Sequence, residues 1–272
     1  MDCINFLIMN LNEMNRLWIR MQHSGSKDKT RRESDRHELN MVVGENIVRL
    51  SNLEGSDLEM YKSTILPRLF DIIQNCKDPI SQQYLMDCII QVFTDEYHLH
   101  TLEKILEACT TLHASVDIKA IFITLMDRLS SYSSSKSNEI QTIDKEINIF
   151  ALFKKYIDKI LDEQGLAIEL RKLIELQVAF LRFSIKTYPA RSDYVNMILE
   201  SCVKILQLQP AKSLNEGCLK VVVKLLIIPL DSLSLGIFGL AHFPTLMQYL
   251  TPQLLKTLAK KIIIVLYLQL HV

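Results

Sequence analysis

Between residues 84 and 132 the chain reads YLMDCIIQVFTDEYHLHTLEKILEACTTLHASVDIKAIFITLMDRLSSY, and this stretch narrows the accessible folds most. Leu85, Cys88, Ile89 and Val92 stand at i, i+3, i+4 and i+7, which is one face of an α-helix. Leu102, Ile105, Leu106 and Cys109 repeat the spacing, and Ile118, Ile121, Phe122 and Leu125 repeat it again. Only Thr94-Asp95 and Ala114-Ser115 punctuate the three segments. Each segment carries an apolar stripe that must be buried, and the adjacent segments are the nearest surfaces that can bury it. Consecutive helical hairpins are the expected outcome.

The same pattern extends in both directions. An amphipathic helix is expected over 3–21, then a charged loop over 22–37, QHSGSKDKTRRESDRH, which has no aliphatic or aromatic residue. Helix resumes at 38–50. Gly55 ends it, and Ser56 or Asp57 caps a helix over 57–76 that Pro67 should kink. Asp78 before Pro79 opens a helix over 79–93, Asp95 caps 96–112, and Ser115 or Asp117 caps 116–131. A Ser-rich loop is expected at 130–139. Further helices follow near 145–163, 167–188, 191–208, 213–227, 232–240, 243–250 and 252–270, with Pro189, Pro210, Pro229, Pro244 and Pro252 at their boundaries. No strand alternation interrupts them. The expected fold is all-α, a single α-solenoid segment of antiparallel helix pairs over 1–272, HEAT-like with divergent repeats.

Composition removes several function classes. Lys plus Arg and Asp plus Glu number 31 each, so there is no basic field to attract nucleic acid. The six cysteines lack CxxC spacing and mostly fall on apolar helix faces, as reduced core thiols of a cytosolic protein do. MDCINFLIMNLNEMNRLW has no basic n-region, which argues against a signal peptide. No transmembrane segment is expected: Lys224, Pro229 and Asp231 break the apolar run from 219 to 240. The N-terminal helix begins without a lead-in, which suggests sequence missing upstream.

Chemistry-bearing patterns are sparse. The dispersed glycines form neither GxxxxGK[ST] nor GxGxxG, and Gly236-Ile237-Phe238-Gly239 lies in apolar helical context without a following basic run. A metal set could draw on His98, His100, Cys109 and His113 near Glu96. However, His98 and His100 project about 200° apart on a helix of 3.6 residues per turn, so they are expected as surface histidines with Cys109 in the core. No serine sits in GxSxG, and no Cys–His pair is backed by a carboxylate. Trp18, with Met14 and Met21, is expected in the core. No catalytic, cofactor-binding or metal residue is expected, no cofactor is implied, and no binding residue can be singled out.

Longer strings of letters carry a family resemblance. The segment 84–102, together with EMNRLWIRMQH (13–23) and VRLSNLEG (48–55), resembles the vacuolar protein sorting-associated protein 35 family, the large subunit of retromer. YPARSDYV (188–195) followed by ILE (198–200), KLLIIPLDS (224–232) and HFPTLMQYL (242–250) are similar to later parts of that family in the same order. The matches are collinear from Asp2 to about Leu258, and the chain departs from the family near Lys260. The resemblance implies a non-catalytic scaffold in retrograde endosome-to-Golgi transport and endosomal recycling, peripheral on the cytosolic face of endosomes. It implies the arrestin-like and phosphoesterase-like retromer subunits and sorting nexins as partners. The family's Pro-Arg-Leu-Tyr-Leu-Met motif, which engages the arrestin-like subunit, lies upstream of this chain; Pro67-Arg68-Leu69-Phe70 shares its first letters at a position the family does not use. With both family-typical ends missing, apolar faces should be uncovered at Ile4, Leu7 and Leu11 and at Leu255, Leu258, Ile262, Ile263 and Val265, and the chain should self-associate. Another HEAT-like adaptor or transport-receptor segment would share the helix pattern but not DEYHLHTL or YPARSDYV. A helical metal-dependent hydrolase would need a ligand cluster.

Overall fold

A computed structural model describes residues 2–23, 29–164, 168–208 and 214–270. Every regular element among them is helical, and the chain parts into two compact units, 1–121 and 122–272.

In the first unit, α1 (Asp2–His23) lies along α2 (Lys29–Ser51). A single helical turn, α3 (Leu58–Met60), follows, capped by Asp57 Oδ1, which accepts the Met60 N–H at 2.8 Å. Next comes a π-helical turn over Tyr61–Ile65 and then α4 (Leu66–Asn75). Pro67 explains the π turn. Its nitrogen cannot donate to a carbonyl one turn back and its ring crowds that carbonyl, so the backbone widens by one residue, and Leu66 N–H reaches Tyr61 O. The expected kink is thus realised as a wide turn. Asp78 caps α5 (Pro79–Val92) as expected, taking the Ser81 N–H at 2.8 Å. The helix expected over 96–112 divides at Thr101 (φ −118°, ψ 12°) into α6 (Asp95–His100) and α7 (Leu102–Thr110). α8 (Ile118–Ser135) starts in this unit, with Asp117 as its cap. The stripes of α7 and α8 face inward, with Leu102, Ile105, Leu106, Cys109, Ile118, Ile121, Phe122 and Leu125 all buried; on α5, Leu85 and Ile89 are buried while Cys88 and Val92 are half-buried. α5 goes further. Met86 and Ile90, one residue off its stripe, are also buried, because α2 and α4 both pack on this helix.

The second unit takes the rest of α8 and α9 (Ser137–Ile147), α10 (Ile149–Gln164), α11 (Leu170–Thr187), α12 (Ser192–Leu208) and α13 (Glu216–Leu233). A 3₁₀ turn over Ser234–Gly239, α14 (Phe243–Met247) and α15 (Pro252–Leu270) complete it. α11 is its axis, packed by α10, α12 and α13. It is accordingly buried around most of its circumference, from Leu170 through Leu173, Leu176, Phe180 and Phe183. Burying rings such as Phe153 and Phe180 contributes about 1.5–3 kcal/mol each.

Three expectations are corrected here. The loop over 22–37 is helical through His23 and again from Lys29, while 24–28 lie outside the described residues. Lys, Arg and Glu are good helix formers, and Glu33, Ser34, His37 and Glu38 are exposed ahead of buried Val43. The Ser-rich loop at 130–139 is helix as well, interrupted only at Lys136. Ser131 and Ser134 hydroxyls donate to the Asp127 and Ser130 carbonyls at 2.9 Å, and Ser135 donates to Tyr132 O at 2.9 Å, so each serine is satisfied within its own helix. Pro229, expected at a boundary, lies inside α13, buried among Leu225, Leu226 and Leu230 along the helix. Burial of this apolar segment outweighs the one missing backbone bond.

Candidate interaction surfaces

The residues suspected of chemistry are dispersed into structural roles. His98 is not on the surface: it is fully buried, with Nε2 2.9 Å from the Ile90 carbonyl across the α5–α6 joint. His100 is half-buried. Cys109 is wholly enclosed, and desolvation pushes its thiol up to about 12, while Cys202 is pushed in the same direction by the same cause. Such thiols are held protonated and unreactive. His113 Nδ1 accepts the Ser115 N–H at 3.1 Å and serves a turn. Among the described residues no group of three or more His, Cys, Asp or Glu side chains is arranged to hold a metal ion. In Gly236-Ile237-Phe238-Gly239, Ile237 is buried and Phe238 projects outward from a 3₁₀ turn. Leu69 and Phe70 are core residues, and Arg68 bonds Asn5 Oδ1 on α1.

The strings of letters singled out in the sequence make joints between helices. In YPARSDYV, the Tyr188 hydroxyl donates to Asp144 Oδ1 at 2.6 Å, and the same oxygen takes the Ile149 N–H at 2.8 Å. Asp144 therefore ties the end of α11 to the α9–α10 corner, where Asn148 adopts φ 51°. The Tyr194 ring stacks on Phe150 with centroids 3.7 Å apart, and the Arg191 guanidinium covers its other side at 3.9 Å. Arg191 in turn forms a two-pronged pair with Asp193 at 2.7 and 2.8 Å, which holds the Asp193 carboxyl below the usual range.

A second joint binds α5 to its neighbours. Trp18 is buried edge-on to Tyr84, centroids 5.7 Å apart, and the Tyr84 hydroxyl donates to Asn40 O at 2.8 Å over Gly44. Gln82 donates to the Ile73 and Cys76 carbonyls at 3.1 and 2.7 Å and accepts the His113 N–H at 2.8 Å. One side chain thus satisfies the end of α4 and the loop before α8. Gln83 repeats the device one residue on, accepting the Asp117 N–H at 2.9 Å. Tyr97 donates to Ser56 O at 3.0 Å, so DEYHLHTL also fastens the 52–57 turn.

Outward-facing residues offer the remaining surfaces. Between α10 and α12 a cleft of about 480 Å³ has Leu161, Ile205 and Leu208 on its walls, with Lys154 bonded to Asp158 at 2.6 Å. On the first helix pair, Phe6, Met9, Leu17, Met41, Val42 and Val48 are exposed, and on α15 so are Ile263, Ile264 and Tyr267. This corrects part of the expected set of uncovered residues. Ile4, Leu11 and Leu258 are core, because each points into its own unit, and the neighbouring side chains take the outward positions. No described helix is long and apolar enough to cross a membrane.

Helix pairs packed against neighbouring pairs and tied by polar joints define an all-α solenoid protein. Comparison with known proteins gives this class a family. The model of the vacuolar protein sorting-associated protein 35 family matches residues 1–270, and the chain belongs to that family. It is 41% identical over 266 residues to vacuolar protein sorting-associated protein 35B of Arabidopsis thaliana, covering 97% of this chain and 33% of the relative. Protein 35A of that plant is 39% identical over 96% of this chain and 33% of the relative. Vacuolar protein sorting-associated protein 35 of Dictyostelium discoideum is 40% identical over 85% of this chain and 29% of the relative. The chain spans about a third of the length of these relatives. The family match also runs past Lys260, where the resemblance read from letters stops.

Proposed function

We propose that this chain is a non-catalytic scaffold segment of the retromer cargo-retrieval complex, acting in retrograde endosome-to-Golgi transport and endosomal recycling. The observation that carries the reading is the family match over 1–270, in which the matching strings fall at joints that fix one helix against the next. A scaffold works by holding outer faces at fixed separations, and buried side-chain-to-backbone bonds such as those of Gln82 resist the sliding of helices that would blur those faces. The dispersal of His98, His100, Cys109 and His113 into structural roles supports a role without catalysis, cofactor or metal. The same proposal treats 1–272 as one solenoid segment, places it on the cytosolic face of endosomes as a peripheral component, and gives it the arrestin-like and phosphoesterase-like subunits and sorting nexins as protein partners. Co-precipitation of the full-length gene product tests it. Recovery of both retromer subunits is expected, and recovery of neither overturns the assignment.

A further inference from the structure

Two serines of this chain have an arginine three residues before them. Ser34 closes Arg31-Arg32-Glu33-Ser34, and Ser131 closes Arg128-Leu129-Ser130-Ser131. That spacing suits protein kinases whose substrate grooves carry carboxylates. An extended chain passing the catalytic centre sets the −3 side chain, and a basic −2 side chain with it, into acidic pockets. The second arginine favours Ser34, but the residue that follows is the acidic Asp35, whereas Tyr132 follows Ser131. The letters leave both serines open.

The fold separates them. A kinase aligns a hydroxyl on a segment it can hold extended, so the helix around each serine must open first. Around Ser131 opening is costly. Leu129, Ser130 and Ser133 are buried, and the Ser131 hydroxyl donates to Asp127 O at 2.9 Å and accepts Lys186 Nζ of α11 at 3.4 Å. Opening this turn would pull Leu129 out of the core and undo the contact between α8 and α11. Around Ser34 opening is cheap. Glu33, Ser34, His37 and Glu38 are exposed, and among the described residues of α2 the first buried side chain is Val43. Residues 31–37 include no aliphatic or aromatic side chain, so only backbone bonds of the helix are given up. α2 stays tied to α5 beyond this turn, where the Asn40 carbonyl accepts the Tyr84 hydroxyl at 2.8 Å.

We propose that Ser34 is a phosphorylation site for an arginine-directed protein kinase, with ATP as the phosphoryl donor. Ser34 Oγ attacks the γ-phosphorus of ATP, and the new Oγ–P bond forms as the bond to the ADP oxygen breaks. The hydroxyl proton passes to the catalytic carboxylate of the kinase. The consequence is a change of local charge. Residues 22–37 hold five Lys or Arg side chains against three Asp or Glu, an excess of two positive charges. A phosphate carries about −1.5 to −2 at pH 7 and cancels that excess. The start of α2 thus switches from basic to neutral, while the buried face that begins at Val43 is left alone. This proposal stands apart from the sorting-scaffold reading, and either can fail without the other.

The test incubates the full 272-residue chain with ATP and the catalytic subunit of cyclic-AMP-dependent protein kinase, which reads arginine at −3 and −2. Tandem mass spectrometry of proteolytic peptides then locates and times the label. Phosphate is expected on Ser34, with Ser131 labelled at least about tenfold more slowly. Arg31→Ala should slow the labelling of Ser34 at least about tenfold, because a charge-assisted contact to the kinase is lost. Ser34→Ala should remove most of the label from the chain. Absence of phosphate on Ser34 overturns the proposal. Labelling of Ser131 as fast as Ser34 also overturns it, since the fold would then not be choosing, and so does labelling of Ser34 that is indifferent to Arg31→Ala.

Discussion

Tyr188 and Gly44 carry their roles in single atoms. Burial, and then the Asp144 carboxylate it bonds, push the Tyr188 hydroxyl pKa upward. The folded chain therefore keeps this proton when the unfolded chain loses it. The stabilisation is complete below the ordinary tyrosine value of about 10 and is lost as pH climbs above it. Tyr188→Phe should lower stability at neutral pH by about 1.5–3 kcal/mol, the worth of a bond to a charged group. It should also lose less on alkalinisation than the parent, and urea unfolding at neutral pH and near pH 11 checks both. At Gly44, an added Cβ would meet Tyr84 Oη at 2.6 Å, whereas the next ring atom is 3.7 Å away. Gly44→Ala should destabilise the chain by about 1–2 kcal/mol despite the better helix former. In a Tyr84→Phe background the same change should become neutral or stabilising. If thermal melts show equal losses in both backgrounds, the clash is not the cause.

Between elements, the joints rest on side chains that satisfy backbone groups of a neighbouring segment. Gln82→Leu keeps the shape but removes the side-chain partner of the Cys76 carbonyl and of the His113 N–H, while the Ile73 carbonyl keeps the Cys76 N–H. The expected loss is about 2–4 kcal/mol. Hydrogen exchange should rise first over 113–118, ahead of the helices on either side, and a uniform rise across the first unit would refute a local joint. Legibility was uneven at this scale. Asp78 could be read as a cap, and Asp57 and Asp117 as one of two candidates each, because capping depends on a few adjacent residues, whereas Asp95, expected as a cap, stands inside the first turn of α6 with Thr94 before it. The helicity of 130–135 could not, since serine suits both turns and helices, and the choice rested on which carbonyl each hydroxyl found.

At the scale of the molecule, apolar side chains stand exposed on the first helix pair and on α15. Contiguous patches of this kind favour association. The chain should self-associate in sedimentation velocity as concentration rises, and Phe6→Glu and Ile263→Glu should each shift it toward monomer. A parent chain that stays monomeric at high concentration would count against this. Sequence alone placed Ile263 in this surface, where it stands, but also Ile4, Leu11 and Leu258, which are buried, because a stripe shows that one side of a helix is apolar without showing which way that side turns.

By itself the sequence determined the all-α class, most helix spans, the buried stripes of α7 and α8 and the family. All of these rest on short-range periodicity or on runs of neighbouring letters. Tertiary structure alone decided that His98 is buried against the Ile90 carbonyl and that Tyr188 finds Asp144, 44 residues away. It also decided that Asn5 on α1 comes to face Arg68 on α4. Helical spacing sets which residues share a face, but the partner across that face lies tens of residues distant, and only the packed chain brings the two together.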